Sequence, residues 1–313
     1  LQVRERGVLS LVGAGEGLQP EGAPLSMVHS VDPSSLPVGA RLLHFASCWE
    51  EITSDTWMLN VVTHRLALLS KEMPPLSTRP LPFRLPRDMN KAAVLRHEVH
   101  EMLVKRAIDE VTQPFTPGYY SLIFLVPKKN GQLRPVIDLS SLNRYLHVDK
   151  FKMTTPQSVR AALSPQDYAV SLDLKDAYFH VPIHPGSWKY LRFAMEDQTY
   201  AFVALPFGIA SAPQVFTRVF GAIGAFLHRH NVNIVMYIDD WLIYHRDPAW
   251  LLVTVQELLP FLSSLGVLLN LAKSDLTPRQ RFTYIGVEFW TDRSLVLPPE
   301  DRVTKLHSLL TGL

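Results

Sequence analysis

The stretch Ile234-Val235-Met236-Tyr237-Ile238-Asp239-Asp240-Trp241-Leu242-Ile243-Tyr244 places two adjacent carboxylates between two apolar, β-prone runs. This pattern predicts a tight β-hairpin with Asp239 and Asp240 at its tip. Like charges at such short range raise each other's pKa. A hard divalent cation such as Mg2+ removes that cost, because it prefers oxygen ligands. Taken alone, an Asp-Asp pair more often marks a water-exposed, Asx-rich turn. A third acid shifts the balance: Asp173, in Ser171-Leu172-Asp173-Leu174, ends an otherwise apolar run expected to be a buried strand over 168–174. By itself Asp173 reads equally well as a strand-end cap. Two carboxylates converging from neighbouring strands, however, can hold two Mg2+ ions about 3.5–4 Å apart, which lower the pKa of an attacking hydroxyl and stabilise the leaving oxygen in an in-line phosphoryl transfer.

The elements around these acids read as a strand (168–174), a helix (211–230), the Asp-Asp hairpin, a helix (248–265) and a short strand (267–271). That order is a split β-α-β arrangement whose antiparallel sheet brings Asp173 beside Asp239. The 211–230 helix carries a core stripe of Val215, Phe216, Val219, Phe220, Ile223, Phe226 and Leu227. Upstream, Asp88 or Asn90 opens a helix reaching to about Val111, with Leu95, Val99, Met102, Leu103 and Ile108 on one face. A long hairpin over 119–139 turns at Pro127-Lys128-Lys129-Asn130-Gly131, giving it a basic tip. Thr155-Pro156 starts a short helix, and 190–195 with 199–205 forms a second hairpin around Glu196-Asp197-Gln198. A last hairpin joins 281–290 to 294–297, and the chain looks helical from Glu300. Near the other end, residues 1–37 are rich in Gly, Pro and Ser and read as a linker or arm. Apolar residues return from Val38 to about Leu69, with Thr53, Ser54 or Asp55 able to cap a helix there, and five prolines keep 74–87 extended.

Composition sets the bounds. A chain of 313 residues, 47% hydrophobic, is long enough for two or more packed subdomains. Its net charge is only +2, so a polyanionic partner must be held by a local basic cleft. The single cysteine, Cys48, excludes an internal disulfide framework and fits an intracellular compartment, cytoplasmic or nuclear. No apolar run approaches the roughly 18 residues that span a bilayer. Neither the twelve histidines nor Cys48 form a zinc spacing. Leu1 at the start and a helix cut off at Leu313 suggest a piece of a longer product.

Six motifs, in family order over roughly 85–297, resemble those of reverse transcriptases. Pro127-Lys128-Lys129 with Arg134-Pro135-Val136-Ile137-Asp138-Leu139 and Leu142-Asn143 resembles the fingers hairpin. Asp173 to Tyr178 resembles the first palm acid motif, and Leu205-Pro206-Phe207-Gly208-Ile209-Ala210-Ser211-Ala212-Pro213 the template-side loop and helix. Tyr237-Ile238-Asp239-Asp240 is the family's best-known signature. Leu265-Gly266-Val267 to Leu269-Asn270 with Lys273, and Phe282-Thr283-Tyr284-Ile285-Gly286, resemble the next motif and the primer grip. Further matches resemble DIRS-type retrotransposons, whose polyproteins carry a tyrosine recombinase: the block from Val38-Gly39-Ala40-Arg41 to Trp57, Phe83-Arg84-Leu85-Pro86-Arg87 and Asp240-Trp241-Leu242-Ile243.

The resemblance implies an α+β, right-hand polymerase. Its parts would be an N-terminal helical extension (38–73), fingers (74–147 and 181–211), palm (148–180 and 212–296) and the start of a truncated thumb (297–313). It implies RNA-directed DNA polymerisation with two Mg2+ ions, Mn2+ being the expected substitute, held by Asp173, Asp239 and Asp240. RNA template, DNA primer and dNTPs would be the partners, with ribonuclease H and recombinase domains downstream in the polyprotein and no membrane. Lys128, Lys129 and Arg134 would fold over a triphosphate, with Leu174, Tyr178, Phe207 and Gly208 completing the nucleotide site. Tyr178 would exclude a 2′-hydroxyl. Lys273 would act as general acid towards pyrophosphate, and Pro206, Tyr237, Tyr284, Ile285 and Gly286 would touch primer or template. Each has a plainer alternative: a solvated basic turn, a core tyrosine, a turn glycine, a surface lysine, ordinary strand packing. Retroviral enzymes usually have Gln where Phe207 stands and Arg where Ser140 stands. The competing functions are a catalytically silent nucleic-acid-binding relic of the same fold and an RNA-synthesising polymerase; Tyr178 speaks against the latter.

Overall fold

The computed structural model describes residues 35–113, 115–127, 131–299, 302–304 and 308. The arm expected over 1–37 lies almost wholly outside these, as do Lys128, Lys129 and most of the helix expected from Glu300.

Capping residues set the helix starts. A 3-10 turn, Arg41–Phe45, runs into α1 (Ala46–Ile52), and Asp55 caps α2 (Thr56–His64) by accepting from the Trp57 and Met58 N–H groups at 2.9 and 3.0 Å. Asp88 caps α3 (Met89–Val104) in the same way. That helix ends at Val104 and not at Val111: Arg106 turns left-handed at φ 54°, and buried Ala107 and Ile108 lead into β1 (Ile108–Glu110). The first hairpin is β2 (Leu122–Pro127) with β3 (Leu133–Asp138), followed by α4 (Ser140–Asn143). Thr155 and Ser158 make a capping box with Pro156 at the first turn of α5 (Pro156–Ala162). Next come β4 (Tyr168–Asp173), a 3-10 turn (Ala177–His180), α6 (Pro185–Trp188), β5 (Arg192–Met195), β6 (Gln198–Phe202) and α7 (Ala212–Arg229). The Asp-Asp hairpin is β7 (Ile234–Tyr237) and β8 (Asp240–His245), and Asp247 caps α8 (Pro248–Ser264).

Two expectations fail downstream. No strand forms over 267–271, where only Leu269 bridges to Leu174. The sheet takes instead β9 (Asp275–Arg279), which carries Pro278 and therefore lies at an edge. The final hairpin is a three-stranded meander of β10 (Arg281–Tyr284), β11 (Val287–Trp290) and β12 (Leu295–Leu297).

The chain divides into two compact units. One combines Lys152–Lys175 with the chain from Phe220 onward. Its four-stranded antiparallel sheet has the order β7-β8-β4-β9, and the β10-β11-β12 meander belongs to the same unit. Phe220, Ile223 and Leu227 of α7 and Leu251, Val255, Leu258, Phe261 and Leu262 of α8 are buried in it, and Phe226 stacks on Phe261 at 5.2 Å. The other unit comprises the described part of Val31–Phe151 with Asp176–Val219. It contains a β1-β6-β5 sheet, the β2-β3 hairpin and α1 to α4, with Val215, Phe216 and Val219 in its core.

Two stability predictions arise in this second unit. The Gly39 N–H donates to the Lys105 carbonyl at 2.7 Å, and a Cβ at Gly39 would sit 1.9 Å from the Arg106 carbonyl oxygen. Gly39→Ala is therefore expected to cost about 3 kcal/mol, visible as a large drop in the thermal midpoint; an unchanged midpoint would refute the tight packing. His180 is fully buried near Arg41, and burial pushes its imidazole down to about 4. Its Nδ1 lies 2.9 Å from the Ala177 carbonyl, which fits the neutral tautomer donating there. Protonation is easier in the unfolded chain, so this group's contribution is whole above about pH 6.5 and is lost as pH falls towards 4, by on the order of 3 kcal/mol. Urea titrations across that range should show a shallower acid limb for His180→Gln than for the parent.

Candidate active site

The sheet order seats β8 between β7 and β4, and the β4–β8 register pairs Asp173 with Asp240. Residues opposite each other across an antiparallel pair share a face, so these two carboxylates project from the same side. Tyr237 and Asp240 close the β7–β8 hairpin, so Ile238 and Asp239 form its tip and Asp240 is the first residue of the returning strand. Ile238 sits at φ 52°, a costly conformation for a β-branched residue. Two hydrogen bonds hold it: the fully buried Trp241 donates its indole N–H to the Ile238 carbonyl at 2.9 Å, and the Leu174 N–H donates to the Asp239 carbonyl at 2.9 Å. The second bond ties the end of β4, and hence Asp173, to the hairpin tip. Tyr237 and Leu174 thus serve first as backbone neighbours of the acids.

Asp173 is fastened at both backbone groups. Its N–H donates to Ser274 Oγ at 3.0 Å, and its carbonyl accepts from the Asn270 N–H at 2.7 Å. Burial raises its carboxyl; Lys273 opposes this and Asp239 adds to it. Lys273 Nζ stands 4.0 Å from Asp173 Oδ1 on a largely exposed side chain. Asp240 is exposed as a residue, yet the protein crowded around its carboxyl, together with Asp239 and Asp173, pushes it up to about 6. Three carboxylates thus crowd one another with Lys273 as their cation, an excess of negative oxygen that suits a hard divalent ion. No three His, Cys, Asp or Glu side chains among the described residues form a preformed metal cage.

Tyr284 differs from its expected role. Its side chain is 4% exposed and packs with Val159, Ala169, Leu242, Tyr244 and Phe289. Its hydroxyl reaches the Asp240 carbonyl at 2.8 Å, so the surface of this turn belongs to Ile285 and Gly286, at φ 42° and 74°.

In the other unit, the Pro206-Phe207-Gly208 loop is fixed by a residue that the sequence placed only within a motif. Asn143 donates its amide to the Gly208 carbonyl at 2.8 Å and accepts from the Ala210 N–H at 2.9 Å. Gly208 has φ 98°, which calls for glycine, and a Cβ there would stand a tight 3.3 Å from the Ile137 carbonyl oxygen. Pro206 is buried while Phe207 is 55% exposed. The Phe207 ring packs on Tyr178 at 4.8 Å, and Tyr178 is otherwise buried against Phe216 at 5.4 Å. Arg134 is exposed on β3 opposite Val126. Lys128 and Lys129 lie outside the described residues. Motif reading quoted Asn143, Asn270 and Trp241 without giving them a supporting role and did not name Ser274, whose hydroxyl meets the end of β4.

Residues 126–289, over half the chain, match the family described as reverse transcriptase (RNA-dependent DNA polymerase). The Tf2-3 transposon polyprotein of Schizosaccharomyces pombe is 28% identical over 159 residues, covering 50% of this chain and 12% of that protein. The retrovirus-related Pol polyprotein from transposon opus of Drosophila melanogaster is 28% identical over 192 residues, covering 59% and 19%. The chain therefore spans under a fifth of these relatives' length. Among solved structures, the foamy viral protease–reverse transcriptase in complex with RNA/DNA hybrid superposes with a TM-score of 0.61 at 19% identity, covering 79% of this chain and 31% of that one. At that identity the likeness shows the fold, here an α+β polymerase fold. Reverse transcriptases as a class depend on divalent metal, and no helix among the described residues is long and apolar enough to cross a membrane. With a family match over half its length and a site that assembles the matched acids, this chain belongs to the reverse transcriptase family of RNA-dependent DNA polymerases.

Proposed function

We propose that this chain extends a DNA primer on an RNA template, as the polymerase part of a DIRS-type retrotransposon polyprotein that carries ribonuclease H and a recombinase downstream and works inside the cell. The carrying observation is the Asp173–Asp240 register together with the Leu174–Asp239 hydrogen bond, which gathers three acids at one end of the two inner strands of the sheet. Asp173 and Asp239, with Asp240, would hold two Mg2+ ions, which lower the pKa of the primer hydroxyl and stabilise the departing oxygen. The primer 3′-oxygen gives up its proton to water and bonds to the α-phosphorus of a dNTP as the bond from that phosphorus to the bridging oxygen breaks, and pyrophosphate leaves. Lys273, beside Asp173, supplies the leaving group with a proton. Arg134, Phe207, Gly208 and Tyr178, with Lys128 and Lys129, bind the nucleotide. Pro206, Tyr237, Ile285 and Gly286 contact template or primer. The unit containing the acids is the palm, and the other supplies the fingers. Nucleic acid is held through its phosphates, so binding weakens as salt rises.

The test is primer extension on poly(rA)–oligo(dT) with dTTP and Mg2+, comparing the parent chain with Asp239→Asn. Extension lost in the variant supports the reading. Salt-sensitive duplex binding without extension by either protein would instead indicate a silent binder of the same fold.

A further inference from the structure

We infer that Tyr284 is a positioning residue of the acid hairpin, its hydroxyl acting as a clasp that sets where Asp239 and Asp240 stand. The inference rests on the polymerase reading above only for its kinetic arm. Tyr284 ends β10, in the meander and not in the sheet that carries the acids. Its ring is held by Leu242 and Tyr244 of β8, Ala169 of β4, Val159 of α5 and Phe289 of β11. The hydroxyl at the end of that ring lies 2.8 Å from the Asp240 carbonyl and 3.2 Å from the Val235 carbonyl. Val235 belongs to β7 and Asp240 to β8, so one side-chain oxygen bridges both arms of the hairpin immediately below its tip.

Such a clasp matters because the tip is strained. Ile238 is held at φ 52°, and strained backbone persists only where surrounding bonds over-determine it. The Trp241–Ile238 and Leu174–Asp239 bonds hold the two tip residues, and the Tyr284 hydroxyl holds the strand residues that flank them. With the hydroxyl removed, the Asp240 carbonyl loses one donor and the side-chain link to Val235, and the tip is free to relax along the strained bond. The two carboxylates move with it. A shift of about 1 Å in a reacting geometry is enough to cost about 10²-fold in rate.

Tyr284→Phe deletes the oxygen and keeps the ring. Two measurements are made on it, the parent and Phe289→Leu, a core change in the same cluster. The first is Mn2+ binding to the free protein by electron paramagnetic resonance. The second is single-nucleotide extension resolved into kcat and KM for dTTP. Tyr284→Phe should weaken Mn2+ binding by about 5-fold and lower kcat by about 10- to 100-fold with KM within about 2-fold. Phe289→Leu should lower the thermal midpoint without moving Mn2+ affinity. The inference is overturned if Tyr284→Phe binds Mn2+ as the parent does, or if Phe289→Leu loses affinity in step with its midpoint. A parent that binds Mn2+ but extends no primer would sink the polymerase reading while leaving the Mn2+ comparison to decide the clasp.

Discussion

Asp239→Asn is expected to lower the single-nucleotide extension rate by at least about 10³-fold, and Asp173→Asn to do the same. A metal that stabilises transition-state charge is worth several kcal/mol, and about 4 kcal/mol corresponds to that factor. The same substitutions should leave the fold intact or slightly more stable. Burial and Asp239 raise the Asp173 carboxyl, and burial, Asp239 and Asp173 push Asp240 up to about 6, so the folded protein holds these negative charges at a cost. Replacing one carboxylate by a neutral amide relieves that repulsion. The expected signature is thus a steep loss of extension with a thermal midpoint that holds or rises. It should appear also for Asp240→Asn, whose carboxylate suffers most from its neighbours. Rapid-quench extension assays and calorimetry on the same preparations check both halves. A variant that retains more than a tenth of the parent rate would remove its aspartate from the metal site, and a fall in midpoint would assign it a structural role.

The parts of this molecule that were legible in the sequence obey local rules. Asp55, Asp88, Thr155 and Asp247 cap helices where short polar residues precede apolar periodicity. The acid hairpin was readable because two β-prone runs leave only a short turn between them, although the turn is Ile238-Asp239 and not the expected Asp239-Asp240, since Asp240 pairs with Tyr237 as the first residue of β8. Asp173 was readable because a charge ends an apolar strand. What escaped was decided by distant partners. The 267–271 run is apolar enough for a strand, yet its place in the sheet went to Asp275–Arg279, which pairs with β4 from an edge position despite Pro278. The helix expected to reach Val111 stopped at Val104 because Ile108 to Glu110 pair with Phe202 to Tyr200, far away in sequence. At the site, the identities of the acids were legible but their fastenings were not. The indole of Trp241, the amide of Asn143 and the hydroxyl of Tyr284 all bond to backbone that only the folded chain brings within reach.

Tyr178→Val is expected to raise ribonucleotide incorporation relative to deoxynucleotide by about 10- to 100-fold. The ring stands five residues beyond Asp173, and two neighbours keep it from swinging away: Phe216 at 5.4 Å in the core and Phe207 at 4.8 Å on the exposed side. An extra oxygen forced against so confined a ring costs about 1–3 kcal/mol, as overpacking does elsewhere, which matches that range of discrimination. Removing most of the ring abolishes the clash, so kcat/KM for UTP should rise towards that for dTTP while the dTTP value changes little. The buried ring also supports its unit, and its loss should lower the thermal midpoint through the cavity it leaves. Phe207→Leu separates the two effects. It removes the exposed support and keeps Tyr178, so selectivity should fall part of the way with little change in midpoint. Competition assays with UTP and dTTP on poly(rA)–oligo(dT) measure the ratio directly. If Tyr178→Val leaves ribonucleotide use unchanged, the tyrosine is a core residue and no gate, and discrimination must come from the phosphate and base contacts. If the parent already accepts UTP as readily as dTTP, the chain is an RNA-synthesising polymerase on the same fold.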